Sequence, residues 1–210
     1  MSDETPDASR PLPSDPRAIS RLAAGNALRE RLKDRAGLVS IADAAASFIC
    51  QFVDADVSSI SLLRGDRYRT LVNVGEEGHR EIGHPSGDDY SVADYPTVTQ
   101  LLRDGKGYVA SIGSDGGVPE SQRFLVEYEM TTCLGAPISY RGDVVGEVFV
   151  CRVTGRARYT LPELAVLLDL ARQVGYRIGP AVTAMDANDP SWWPDNTSGD
   201  EIRELGEPLP

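Results

Sequence analysis

Three cysteines, Cys50, Cys133 and Cys151, are the residues of this chain suited to covalent or redox chemistry. A thiolate can attack an electrophile or ligate a soft metal, and two thiols can cycle through a disulfide. Their spacing fits neither a disulfide framework nor a zinc site, because the number is odd and no C-x-x-C occurs. His79 and His84 are the only histidines, too few for a histidine-rich metal centre. Cys50 has no base near it in sequence to lower its pKa, so a helix–helix contact accounts for it better than reactivity. A second chemistry is anion capture. Asp94-Tyr95-Pro96 opens a helix, where free N–H groups attract an anion or a capping carboxylate. Asp94 reads as that cap. No serine-histidine-acid arrangement, phosphate-binding glycine loop, paired metal ligands or dinucleotide fingerprint occurs.

Cys133 and Cys151 lie in the stretch that organises the chain, Thr131 to Arg152. It reads as two long strands about a tight turn at Arg141-Gly142. Leu134, Ala136 and Ile138 mark one side of the first strand, and Val144, Val148 and Val150 one side of the second. Apolar residues on both faces predict a central strand pair covered above and below. Gly135 and Gly146 either admit a close backbone or ligand or relieve crowding. Val57–Leu63 and Tyr68–Val74 form another hairpin, across Arg64-Gly65-Asp66. The same triplet at Arg141-Gly142-Asp143 marks a turn both times.

The helices follow from apolar periodicity. Leu38, Ile41, Ala45, Phe48, Ile49 and Phe52 share one stripe. Thr160-Leu161-Pro162-Glu163 is a capping box opening a long helix, which Pro180 should kink or end. Shorter helices are expected from Pro96 to Gly105 or Gly107 and over Glu120–Glu129, with strands at Asp88–Val92 and Tyr108–Ile112. Arg17–Arg35 is a basic helix, with six bases against two acids. It is either a dimer or linker helix or one draped on the domain.

The 210 residues suffice for one sizeable domain with tails. The net charge of −11 belongs mostly to the ends. Asp3, Glu4, Asp7 and Asp15 face only Arg10 in residues 1–16, and seven acids face only Arg203 in residues 186–210, leaving −2 for the body. Residues 1–16 and 185–210 are therefore expected to be disordered acidic tails. Trp192-Trp193 is the apolar exception, suited to anchoring the second tail on the domain or a partner. The charge argues against nucleic-acid binding, and no apolar run is long enough for a membrane span. With no signal-peptide core at the start, a cytoplasmic location is expected.

The whole pattern resembles the GAF domain, a small-molecule sensory module of bacterial signalling proteins. Val57-Ser-Ser-Ile-Ser-Leu-Leu, Asp94-Tyr-Pro, the run Thr132 to Glu147 and Tyr159-Thr-Leu-Pro-Glu-Leu carry the likeness, which covers about residues 36–184. It is most similar to GAF modules beside diguanylate cyclases, phosphodiesterases and histidine kinases, here as a free-standing protein. The resemblance implies an α+β fold: a six-stranded antiparallel sheet with helices on both faces. The first and last helices would cover one face, and the middle helices would enclose a pocket on the other. It further implies that Tyr90, Asp94, Tyr95, Phe124, Tyr128 and Cys133 line that pocket, unless the aromatic residues simply fill the space.

The ligand stays unidentified, and no cofactor is assigned. Ser121 to Tyr128 lacks the Cys or His to which bilin-binding members attach chromophore. His79 and His84 are the only histidines for haem, and the Asn-Lys-Phe-Asp type signature of cyclic-nucleotide binders does not occur. The expected role is non-catalytic: a sensory module binding a small ligand and signalling through its terminal helices, with a signalling partner or a homodimer as assembly. One alternative is a thiol enzyme of the free methionine sulfoxide reductase type using Cys133. In a simple two-residue hairpin, residue 133 faces 150, which puts Cys151 on the opposite face and out of disulfide reach. The other alternative is an interaction adaptor with a vestigial pocket, using Trp192-Trp193.

Overall fold

The computed structural model describes residues 16–75, 87, 89–114, 118–153 and 155–184. His79, His84 and Trp192-Trp193 lie outside them, as do both expected tails except Pro16. Helices α1 (Pro16–Leu32) and α2 (Leu38–Phe52) precede the hairpin β1 (Val57–Arg64) and β2 (Arg67–Gly75). Strand β3 (Asp89–Ser91), a 3₁₀ turn (Val92–Asp94), α3 (Pro96–Arg103), β4 (Tyr108–Ser111) and α4 (Pro119–Glu127) follow. The long hairpin β5 (Met130–Tyr140) and β6 (Asp143–Val153) leads into α5 (Leu161–Ala184).

The six strands form one sheet in the order β3-β2-β1-β6-β5-β4, every neighbour antiparallel. The order joins the two hairpins through β1 and β6, so the strands with most apolar character are central. Arg141 and Gly142 both have positive φ, which gives the hairpin turn a twist that matches its strands.

One face carries α1, α2 and α5. Leu28 and Leu32 of α1, Ile41 and Ile49 of α2, and Leu167, Val174 and Ile178 of α5 pack there with Leu134, Ala136, Ile138, Val148 and Val150. Burying a Leu or Ile side chain contributes roughly 1.5–3 kcal/mol, so these layers hold the helices to the sheet. The basic helix α1 is thus part of the core through its apolar stripe. Its Arg21 bonds Asp169 of α5 at 2.6 Å. Thr160 caps α5 as expected: its N–H donates to the Glu163 carboxylate at 2.8 Å. Pro180 does not end α5, which continues to Ala184. The opposite face carries α3 and α4 over Val57, Tyr68, Tyr108, Cys133 and Cys151.

The β5–β6 register differs from a simple hairpin. Ser139 pairs with Val144 but Ile138 with Gly146, so Val145 is an extra residue in a bulge. The bulge has two consequences. Val144 turns to the α3–α4 face, while Val145 joins Val148 and Val150 on the other. Cys133 also pairs directly with Cys151, not with Val150, and both thiols face the α3–α4 side as free cysteines. The turn itself keeps two residues; the shift arises inside the strand, where no turn signal marks it.

Candidate ligand-binding site

A cavity lies between the sheet and α3–α4. Val57, Ser59 and Ser61 of β1, Tyr68, Thr70 and Asn73 of β2, and Tyr90 of β3 line it. Tyr95, Val98, Tyr108, Ser121, Phe124, Glu147 and Phe149 complete the lining. The cavity volume is about 50 Å³. That is room for a few waters or a compact solute.

Glu147 on β6 is the acidic group of this lining, and it is buried. It gets there by strand alternation: Val148 and Val150 point to α2 and α5, so Glu147 and Phe149 point to the cavity. The Tyr108 hydroxyl donates to Glu147 Oε1 at 2.8 Å. Burial pushes the carboxyl up to about 7, against the Tyr108 hydrogen bond, which pulls it down. The group therefore sits near the midpoint of its titration at neutral pH.

Gly135 makes this pair possible. A Cβ there would fall 2.2 Å from the Tyr108 ring and 2.5 Å from Glu147 Oε1. Gly146 serves a neighbouring strand instead, since a Cβ would meet the Ser61 carbonyl at 2.3 Å. Both glycines admit a close protein neighbour.

Six aromatic rings share the remaining lining with two valines and the polar side chains of Ser59, Ser61, Thr70, Asn73 and Ser121. Tyr90 stacks on Tyr68 with centroids 5.0 Å apart and meets Tyr95 edge-on at 5.3 Å. Phe124 meets Phe149 edge-on at 5.2 Å. Tyr68 donates to or accepts from Thr99 at 3.0 Å, and Tyr90 donates to Ser61 at 3.3 Å. Desolvation raises the hydroxyl pKa of all four cavity tyrosines: Tyr95 to about 12, and Tyr68, Tyr90 and Tyr108 too. They stay neutral at physiological pH.

Of the residues expected at the pocket, Tyr90, Tyr95 and Phe124 line the cavity, whereas Asp94, Tyr128 and Cys133 do not. Asp94 is exposed in the 3₁₀ turn, and Tyr95, not Asp94, precedes α3. The capping carboxylate comes from α4: Glu120 Oε1 accepts the Thr97 N–H at 2.7 Å. Tyr128 packs on the Phe124 ring at 4.7 Å, one layer away. Cys133 is fully buried, with Ser121 bonded to its thiol, and desolvation raises its pKa far above the ordinary thiol range. Cys151 is shifted the same way by burial. Such thiols resist ionisation, so they are poor nucleophiles.

Sequence reasoning missed Glu147, Tyr68 and Tyr108. The signal for Glu147 was present: it is the one acid inside the apolar run Val144–Val150. A charged residue at an inward strand position needs a partner or a purpose.

The GAF domain family model matches residues 37–178. The chain belongs to the GAF domain family. The match spans the described strands and most of α5 but not α1. Comparison with curated protein sequences gives no match. Among solved structures, this GAF domain is similar to that of an Acinetobacter phosphoenolpyruvate-protein phosphotransferase, with 17% identity, a TM-score of 0.62, and 80% of this chain and 97% of that one covered. It is similar to the phycocyanobilin-bound GAF domain of a cyanobacterial phytochrome, with 15% identity, a TM-score of 0.64, and coverage of 79% and 97%. The chromophore-binding domain of a bacteriophytochrome from R. palustris gives 14% identity and a TM-score of 0.62, with coverage of 80% and 64%. At these identities the likeness establishes the fold alone.

Proposed function

We propose that this GAF domain is a sensory module that binds a small ligand in the cavity above β1, β2 and β6 and relays occupancy to its terminal helices. The observation that carries this reading is Glu147, a buried carboxylate aimed into a cavity that six aromatic rings also line. A buried ionisable group beside unfilled space costs stability unless something repays the desolvation, and sites built for ligands carry such groups. The bilin-bound phytochrome neighbour supports a ligand role for this fold. Tyr90, Tyr95 and Phe124 then contact the ligand, while Tyr128 and Cys133 pack in the surrounding layer.

The relay reading rests on β6. The strand that bears Glu147 also bears Arg152, whose guanidinium donates to Glu163 at the start of α5 at 3.0 Å. Helix α5 carries α1 against it. Leu22 of α1 and Tyr176 of α5 are 51% and 63% exposed, available to a second copy or a signalling partner. A ligand shifts such helices only by binding one arrangement better than the other.

The test is native mass spectrometry of the full chain purified from its own host, with hydrogen exchange across α1 and α5. We expect a small-molecule adduct lost on unfolding, with altered protection of both helices. A ligand-free mass, together with identical exchange before and after incubation with the host's metabolite extract, would overturn the proposal.

A further inference from the structure

We infer that the cavity takes a compact organic cation, an ammonium ion bearing small alkyl groups, with Glu147 as its counter-ion and the surrounding rings as its cage. This rests on the cavity being a ligand site and adds the ligand's chemical class. Three observations converge on it.

The first is charge. Among the described residues that line the cavity, Glu147 is the acid and there is no Arg, Lys or His. Arg103 and Arg123 on α3 and α4 spend their guanidinium groups on surface carbonyls, those of Gly65 and Asp94. An anion would meet a buried carboxylate with no compensating cation among the described lining residues. A neutral solute would leave that carboxylate desolvated and held by Tyr108. A cation removes the penalty, because opposite charges attract strongly where water is excluded.

The second is the wall. Aromatic faces attract a cation through the ring quadrupole, with roughly 0.5–2 kcal/mol per ring, most when desolvated. Tyr68, Tyr90, Tyr95 and Tyr108 supply electron-rich rings around one carboxylate, and Phe124 and Phe149 add apolar surface. An inorganic divalent cation would ask for several oxygen ligands instead. No group of three His, Cys, Asp or Glu that could hold a metal ion occurs among the described residues.

The third is size. The cavity of about 50 Å³ is far smaller than the roughly 150 Å³ that holds a benzene-sized solute, so the ion carries one or two methyl groups at most. Alkyl groups match the rings, and the charge matches the carboxylate.

Among the described residues, the titratable groups around Glu147 are Tyr68 from β2, Tyr90 from β3, Tyr108 from β4 and Cys133 from β5, with Tyr95 before α3 in the same lining. All are shifted upward by desolvation and neutral near pH 7. Glu120 of α4 is committed to the N–H of Thr97. Cation binding near neutral pH therefore draws a proton off Glu147.

The experiment is calorimetric titration of the full chain with methylammonium, with methanol as neutral analogue, and with acetate and potassium chloride. Expected is saturable binding of methylammonium at least tenfold tighter than methanol, with proton release at pH 7 and none at pH 9. Glu147→Gln should weaken the cation at least tenfold and leave methanol unchanged, and Tyr95→Leu should weaken the cation severalfold. If methanol, acetate or potassium binds as tightly as methylammonium, the organic-cation assignment falls while the ligand-site reading stands. If none of the probes binds, and protein from its host carries no adduct, both fall.

Discussion

Glu147 and Arg152 stand five residues apart on the same strand, both charged and both buried, yet their surroundings are opposite. Arg152 is saturated. Its guanidinium donates to the carbonyls of Val53, Asp54 and Ala157 at 2.7, 2.9 and 3.1 Å and to Glu163 at 3.0 Å. It also lies over the Tyr159 ring, 3.9 Å from its centroid. Every face of the guanidinium has a protein partner, and it ties the α2–β1 connection, β6 and α5 together. Among the described residues Glu147 has one hydrogen-bond donor, Tyr108, and otherwise faces the cavity. Arg152 points to the helix side, Glu147 to the cavity side. The lesson is that burial alone does not identify a functional charge. A buried charge with all its bonds made within the protein is a fastener; one with bonds left over beside a cavity awaits something from outside.

The strongest way to break this contrast is Arg152→Met. Removing the guanidinium takes the donor from the buried Val53 carbonyl and the partner from Glu163, and unties the α2–β1 connection from α5, so chemical denaturation should show a loss of about 4 kcal/mol. That loss should be nearly independent of pH between 5 and 8. A loss below about 1 kcal/mol would make Arg152 no more structural than a surface charge.

Glu147→Gln should act in the opposite direction. The folded carboxyl is raised to about 7, so between its ordinary range and pH 7 the folded protein holds a proton that the unfolded chain has lost. Wild-type stability should therefore fall as pH rises from about 4.5 to about 7, by roughly 3 kcal/mol, and level off above. The amide that replaces the carboxyl cannot ionise, so this component of the pH dependence should vanish, with the variant the more stable at pH 8. Equal slopes in the two proteins over pH 5–7 would show that Glu147 is solvated.

Gly135→Ala tests the spacing on which the Glu147 site depends. The new methyl would collide with the Tyr108 ring and with Glu147 Oε1, at 2.2 and 2.5 Å. Overpacking of this kind costs about 2 kcal/mol. Cation binding should weaken with it, while the Arg152 side of the sheet keeps its hydrogen-exchange protection. Uniform loss of protection on both faces would argue that the two sides of the sheet are not separable.

The two charges were unequally legible in the sequence. Both hairpins, the capped last helix and a central strand pair covered on both faces followed from periodicity and turn residues, because local signals encode these things directly. The α+β fold, and the placing of Tyr90, Tyr95 and Phe124 near the pocket, came through the resemblance to the GAF domain. The bulge at Val145 was hidden, because Val144-Val145 looks the same whether or not one residue is skipped, and it moved Cys151 opposite Cys133. The cap on α3 was hidden as well. Asp94 has the right type and position, but Glu120, 23 residues beyond Thr97, reaches the helix end through the α3–α4 packing. The pairing of Tyr108 with Glu147 spans 39 residues and depends on a glycine at 135, so no local pattern announces it.

Tyr108→Phe isolates the one hydrogen bond that Glu147 makes among the described residues, and its effect should be the smallest. The ring stays and only the hydroxyl leaves, so packing is preserved. That hydroxyl lowers the carboxyl's pKa by stabilising its charged form. Its loss should raise the pKa further and extend the fall of stability to higher pH, with a change of about 1 kcal/mol above pH 8. Below about pH 4, where the carboxyl is mostly protonated in the folded and unfolded states alike, the variant and the parent should differ less. The measurement is carboxyl titration by infrared or carbon NMR alongside denaturation at several pH values. An unmoved titration midpoint would show that Glu147 draws its environment from the cavity alone. An upward shift would leave it a charge with one fastening and open space beyond, the state in which it differs most from Arg152.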